Sequence, residues 1–217
     1  MEKNKTLYLV LGCHRSGTSA TAGTLAAMGM HLGDDLMPPT EHNPKGYFEH
    51  MAFHKHNEKV LDFMGCSWDD VSKWDKHMLL AAMNRAPLQR LLKKEFKDKD
   101  HLVLKDPRIS VLVPLYQAAC DKLGIDIKYI IVLRSEDEVT ASLMDRDGFD
   151  EKKARRIYQN YQTRIYSDAI GQALVIWYRD LLSDTVKTVK ALSVFTGVQD
   201  YDINKIKEFL DPSLKHF

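Results

Sequence analysis

Three short apolar runs, each followed by a polar turn and then a stretch with helical spacing, frame this chain. Thr6 to Gly12 reads as a strand and leads through a Gly/Ser/Thr turn into Ala20 to Met28, which is rich in good helix formers. A second strand, His101 to Leu104, ends in Lys105-Asp106-Pro107, and Ile109 to Leu123 then repeats apolar residues at a helical period. The third run, Ile127 to Leu133, reads Ile-Lys-Tyr-Ile-Ile-Val-Leu and has the β-branched, apolar character of a buried strand. Strands alternating with helices predict an α/β fold of three layers, α/β/α, around a mostly parallel sheet.

The segments between these runs are more polar. Asp34 to Tyr47 contains Pro38, Pro39, Pro44 and Gly46 and is expected to be loop, whereas Phe53 to Gly65 and Lys76 to Phe96 look helical. Glu151 to Asp184 reads as one or two long polar helices, and Thr185 to Phe195 places Val186, Val189, Leu192 and Phe195 at helical spacing. A chain of 217 residues fits one domain over 1–217, with 34–96 as a loop and helical insertion that shapes a binding site.

Composition narrows the function classes without choosing one. Hydrophobic residues at 44% and charged residues at 28% belong to a globular protein. The 31 basic and 30 acidic residues give a net charge of +1, so no global attraction to nucleic acid or anionic membrane is expected and any anion site must be local. Leu7 to Gly12 is too short to span a bilayer and follows Glu2, Lys3 and Lys5, so neither a membrane span nor a signal peptide is expected. Cys13, Cys66 and Cys120 are widely spaced and odd in number, which argues against a disulfide framework and for a cytoplasmic protein.

The chemistry concentrates after the strands. Gly12-Cys13-His14-Arg15-Ser16-Gly17-Thr18-Ser19 follows the first strand and opens a helix in the outline of a phosphate-binding loop. Its glycines let the backbone wrap an anion, the helix start presents N–H groups, and Ser16, Thr18 and Ser19 add hydroxyls. Nucleoside triphosphatases place a lysine after the second glycine; here that residue is Thr18, and the cation is Arg15. The plain alternative is a turn that merely caps a helix.

Arg15-Ser16-Gly17-Thr18-Ser19 resembles the 5′-phosphosulfate loop of sulfotransferases that use 3′-phosphoadenosine 5′-phosphosulfate (PAPS). Their 3′-phosphate signature, an arginine ending a strand and a serine eight residues on, is matched by Arg134 and Ser142. Leu104-Lys105-Asp106-Pro107-Arg108 matches the strand-end lysine beside the transferring group, and Asn43-Pro44-Lys45-Gly46-Tyr47-Phe48-Glu49 is similar to a segment of bacterial-type members. The resemblance implies the P-loop-like sulfotransferase fold and transfer of a sulfuryl group from PAPS to a hydroxyl or amine, with PAP released and no metal required. It implies Arg15, Ser16, Gly17, Thr18, Ser19, Arg134 and Ser142 as donor-binding residues, with Lys105 and Arg15 as catalytic cations. Cytosolic small-molecule members carry a catalytic His two residues after that lysine, where this chain has Pro107, so the base must lie elsewhere.

Glu49 is the candidate base, by resemblance to the Phe-Glu of heparan-type sulfotransferases, with His50 and Asp35 in reserve. Asp34 and Asp35 are similar in spacing to an acidic pair in protein-tyrosine sulfotransferases, or they turn a loop. His50 and His54 at i, i+4, with His56, have partial zinc spacing, but no HExxH pattern or cysteine pair completes a site, so no metal is expected. Trp68, Trp74 and Trp177 are candidates for lining an acceptor cleft or for ordinary packing. The acceptor, a small molecule or a saccharide, is not specified by the residues. A P-loop nucleotide or small-molecule kinase with Ser19 on magnesium, and a nucleotide-binding domain without chemistry, are the competing readings.

Overall fold

The computed structural model of the chain describes residues 5–40, 43, 45–82 and 84–210; Glu2, Lys3 and Pro44 lie outside them. Among the described residues four strands, β1 (Thr6–Leu11), β2 (His101–Lys105), β3 (Asp126–Leu133) and β4 (Ala173–Trp177), form one all-parallel sheet in the order β2-β1-β3-β4. The chain crosses between them through α1 (Thr18–Ala27), α2 (Met51–Phe63), α3 (Lys76–Ala82), α4 (Ala86–Glu95), α5 (Ile109–Leu123), α6 (Glu136–Asp147) and α7 (Glu151–Asp168). After β4 come α8 (Tyr178–Ser183), α9 (Thr185–Thr196) and α10 (Ile203–Phe209).

β1 shows why the strands read as unbroken apolar runs. Leu7, Leu9 and Leu11 point into a cluster with side chains from α2 to α7, while Tyr8 and Val10 point into a second cluster with α1, α8, α9 and α10. Every residue of β1 is therefore buried, and each of its leucines contributes about 2 kcal/mol of transfer free energy. No helix among the described residues is long and apolar enough to cross a membrane.

Two segments depart from the sequence reading. Glu151 to Asp184 is not helical throughout: α7 ends at Asp168, a short 3-10 turn follows at Ile170–Gln172, and Ala173–Trp177 forms β4. As the sheet's outer strand β4 buries only Ile176 fully, and Val175 and Trp177 are 39% and 37% exposed, so it lacks the long apolar signal of an inner strand. Lys76 to Phe96 is two helices, because Pro87 at the start of α4 cannot continue a preceding helix. Asp34 to Tyr47 carries no helix or strand element among its described residues, as expected.

Candidate active site

Strand register gathers the chemistry at one edge of the sheet. Val10 pairs with Lys105, so the end of β2 stands beside the exit of β1, and Leu133 pairs with Trp177, so Arg134 and Tyr178 leave their strands side by side. The C-terminal ends of parallel strands, where loops open toward helix starts, are the usual place for a site in such sheets.

The loop between β1 and α1 is held from three directions. Ser110 Oγ, at the start of α5, accepts from Gly12 N at 3.0 Å and donates to Gly12 O at 3.1 Å. Arg15 adopts the left-handed φ of 67°, a strained value for a non-glycine residue, and its carbonyl accepts from Arg134 NH1 at 2.9 Å. Gly17 has φ 90° and packs so tightly on Tyr178 that a Cβ there would lie 2.3 Å from the ring. Gly17 is also the N-cap of α1 and offers no side chain, so the first-turn N–H groups face the loop's anion position. Ser16 Oγ is buried with no hydrogen-bond partner among the described residues.

Arg15, Arg134 and Ser142 converge across the sheet. Arg15 Nε donates to Ser142 Oγ at 2.8 Å, which joins the loop to α6. Arg134 Cζ lies 5.2 Å from the centre of the Tyr178 ring, and Tyr158 Oη donates to the Arg134 carbonyl at 3.0 Å. Burial, followed by the charges of Arg146 and Arg134, pushes the Arg15 guanidinium below its ordinary value. Such crowding of cations is relieved by a bound anion.

Lys105 and Glu49 form the centre of the site. Lys105 Nζ donates to Glu49 Oε1 at 2.6 Å, to Ser19 Oγ at 3.1 Å and to the Tyr47 carbonyl at 3.1 Å, and both ionised side chains are buried. The other carboxylate oxygen, Oε2, lies 3.3 Å from His54 Nδ1 and 3.8 Å from Arg108 NH1. Burial alone would raise the Glu49 carboxyl, but the Lys105 charge and hydrogen bonds from His54 and Lys105 outweigh it and hold the group well below the carboxylate range. His54 is raised, chiefly by its hydrogen bond to Glu49, with burial acting against that. Phe48, just before Glu49, adopts φ 57°, a second strained backbone beside the centre.

Asp106 completes this cluster from below. Its Oδ2 accepts from Asn57 Nδ2 at 3.0 Å and its Oδ1 from Arg108 NH1 at 3.1 Å. Burial, then the Glu49 charge, raises its carboxyl. Glu49, His54 and Asp106 bring potential ligand atoms within 4.8 Å of one another, a spacing compatible with a metal ion. Lys105 and Arg108 already supply the positive charge there, at 2.6 Å from Glu49 and 3.1 Å from Asp106, and both would repel a divalent cation.

Glu49, His54, Lys105 and Arg108 border a cleft of about 390 Å³. Among the described residues its lining carries Arg15, Lys45, Lys105, Arg108, Arg134 and Arg146 against one carboxylate, Glu49, so a chain of net charge +1 concentrates positive charge at one place. Gly17, Thr18 and Ser19 also line it, while Ser16 and Ser142 lie buried just behind. The insertion contributes Tyr47, Phe48, Glu49, His54 and Trp68.

Several candidates fall elsewhere. His50 is the N-cap of α2, accepting from Ala52 N at 3.3 Å, and its Nε2 lies 3.4 Å from Glu95 Oε1, turned away from the cleft. Asp34 and Asp35 are exposed and do not border it. Trp74 donates to the Val111 carbonyl at 2.6 Å, and Trp177 lies on the outer strand, so of the three tryptophans Trp68 alone reaches the cleft. The sequence reading missed Arg108 and Tyr178. Arg108 lies just past the end of β2, a strand the sequence predicts, which was the available signal; Tyr178 follows β4, which the sequence reads as helix, so nothing local marked it.

No protein-family model matches the sequence, and no curated protein sequence matches it. Solved structures do match. A sulfotransferase domain from the olefin synthase of Synechococcus PCC 7002 superposes with TM-score 0.60 at 17% identity, covering 99% of this chain and 87% of that one. A sulfotransferase domain from the curacin biosynthetic pathway gives 0.53 at 17% identity over 93% and 77% of the two chains, and a sulfotransferase of Mycobacterium tuberculosis H37Rv gives 0.53 at 16% over 95% and 76%.

Proposed function

We propose that this chain, which has the sulfotransferase fold, transfers a sulfuryl group from PAPS to a hydroxyl or amine acceptor and releases PAP. The observation that carries the proposal is the cation at the loop: Thr18 stands at the lysine position, and Lys105 arrives from the neighbouring strand with Nζ 3.1 Å from Ser19 Oγ. In a kinase that hydroxyl would hold magnesium. An ammonium group against it favours direct charge neutralisation by the protein over a metal-bridged phosphate.

The donor's two anionic ends fit two groups of residues. Ser16 Oγ, the Ser19 hydroxyl and the N–H groups at the start of α1 fit the 5′-phosphosulfate. Arg134 and Ser142, already joined through Arg15, fit the 3′-phosphate. As the bond from sulfur to the acceptor oxygen forms, the bond from sulfur to the phosphate oxygen breaks, and its electron pair leaves with PAP. Lys105 and Arg15 stabilise that developing charge, and Glu49 takes the acceptor proton.

Lys105 couples the two halves of the reaction. While its ammonium grips Glu49, the carboxylate is a poor base; when the ammonium turns toward charge on the leaving oxygen, Glu49 gains basicity at the moment a proton must be accepted. Incubation with PAPS and a panel of hydroxyl and amine acceptors, read by mass spectrometry, tests the reading. Sulfated product formed without magnesium supports it, and magnesium-dependent phosphorylation from ATP with no sulfated product would put the kinase in its place.

A further inference from the structure

We infer that the wall of the cleft formed by His14, Trp68 and Arg146 is an acceptor subsite for an anionic group, so that the compound sulfated here already carries a carboxylate, phosphate or sulfate. The inference rests on the sulfotransferase reading and names the class of acceptor for it.

Of the cations around the cleft, Arg15, Lys105 and Arg134 serve the donor. Lys45 donates to the Phe209 carbonyl and lies 5.2 Å from that ring's centre, and Arg108 is engaged by Asp106, Glu58 and Glu49. Arg146 has no part in either group. It lies one turn beyond Ser142 on α6, its Cζ is 5.4 Å from the centre of the Trp68 ring, and Asp147 holds its Nε at 2.9 Å and its NH2 at 2.7 Å. Asp147 does not border the cleft, so it orients the guanidinium without occupying the space in front of it.

His14 supplies an independent observation. Its ring centre is 4.4 Å from that of Trp68, it is 9% exposed and borders the cleft, yet its Nε2 is buried with no hydrogen-bond partner among the described residues. A buried polar atom without a protein partner is uncommon and leaves one hydrogen bond for a water or a ligand atom to supply. Burial, then the charges of Arg108 and Arg146, lowers the imidazole, so in its neutral form it offers a hydrogen bond at a position whose surroundings favour negative charge.

The wall is also fixed in place. The Trp68 carbonyl accepts from Tyr161 Oη at 3.0 Å, and the adjacent Asp69 pairs with Lys153 at 2.6 Å, which anchors this loop on α7. A flat aromatic face, a guanidinium held by its own carboxylate and an unsatisfied imidazole together suit a ring or planar body bearing an anion.

The test is calorimetric titration of benzoate, phenyl phosphate and phenyl sulfate, with neutral benzamide as the control, into protein saturated with PAP. At least one anionic probe should bind about tenfold or more tightly than benzamide, the size of one charge-assisted hydrogen bond. The three anionic probes identify which group is taken. Arg146→Gln should bring the ratio close to one, and Trp68→Ala should weaken the tightest probe. Equal affinity for charged and neutral probes, no binding by any of them, or an undiminished ratio in Arg146→Gln overturns the subsite. The comparison in the unmodified protein needs no variant, so a misfolded variant leaves the inference open to refutation. Absence of PAP binding would instead defeat the donor reading, and the same titrations into protein alone would then judge the subsite separately.

Discussion

Glu49→Gln removes charge and basicity while keeping shape. Lys105 retains Ser19 Oγ and the Tyr47 carbonyl as acceptors and can still use the amide oxygen of the new side chain, so its ammonium stays satisfied. The ammonium keeps its hydrogen bonds but loses its counter-charge, so the cost to stability is about 3–5 kcal/mol, that of a buried pair broken at one partner. The effect on rate is of similar size. An amide cannot take the acceptor proton, and a positioned base is worth roughly 10²–10⁴ in rate, or about 3–5 kcal/mol of barrier. PAP release from PAPS, followed with an acceptor the unmodified protein sulfates, should fall by that factor, while calorimetry should find PAP affinity changed by less than about tenfold. A variant that keeps more than about a tenth of the turnover would remove Glu49 from the role of base.

The same pair predicts an acid dependence. The Glu49 carboxyl is held below its ordinary value of 4.5, so its contribution to stability is complete above that pH and is lost as pH falls toward the lower folded-state value. The stability difference between the unmodified protein and Glu49→Gln should shrink on acidification below about pH 4.5, as read by denaturant titration. A difference that is constant across that range contradicts the ion pair.

Three further predictions concern the neighbouring parts. Ser110→Ala leaves the buried Gly12 N–H and carbonyl without their shared hydroxyl and should cost about 1–3 kcal/mol of unfolding free energy in urea titrations. Gly17→Ala must place a Cβ within 2.3 Å of Tyr178 at φ 90°, so it should lower Tm by several degrees and weaken PAP binding together; a variant as stable as the parent would mean the loop is not packed as described. His54 is raised above 6.5 by Glu49, so its contribution is full below that value and is lost as pH rises through the folded-state value. Relative to His54→Gln, the unmodified protein should lose stability above about pH 6.5, and thermal melts across neutral pH would reveal a flat difference if His54 does not bond to Glu49.

The parts of the candidate site legible in the sequence were those encoded next to strand ends. The β1 exit loop, Lys105 and Arg134 each follow a buried apolar run directly, so identifying the strand located the residue. Ser142 was singled out by resemblance to the family's 3′-phosphate signature, and its place about two helical turns into α6 fits the hydrogen bond it accepts from Arg15. His50, a reserve base because it stands next to Glu49, is carried out of the cleft as the N-cap of α2 with its ring on Glu95, a contact between distant positions that the sequence does not record. β4 was lost because an outer strand of five residues, flanked by polar helices, leaves little apolar signal. The contacts of Glu49 with Lys105 and of Trp68 with Arg146 join positions far apart in the chain, and no local pattern records such pairings.

The most direct measurement of the central claim is calorimetric titration of PAP into the purified protein and its Arg134→Ala variant, with ADP and 5′-AMP as controls, with and without magnesium. The account predicts PAP binding that is independent of magnesium, selective over both controls, and weakened about ten- to a hundredfold in Arg134→Ala by loss of a charge-assisted phosphate contact. Preference for ADP with magnesium, or PAP binding untouched by Arg134→Ala, would contradict it.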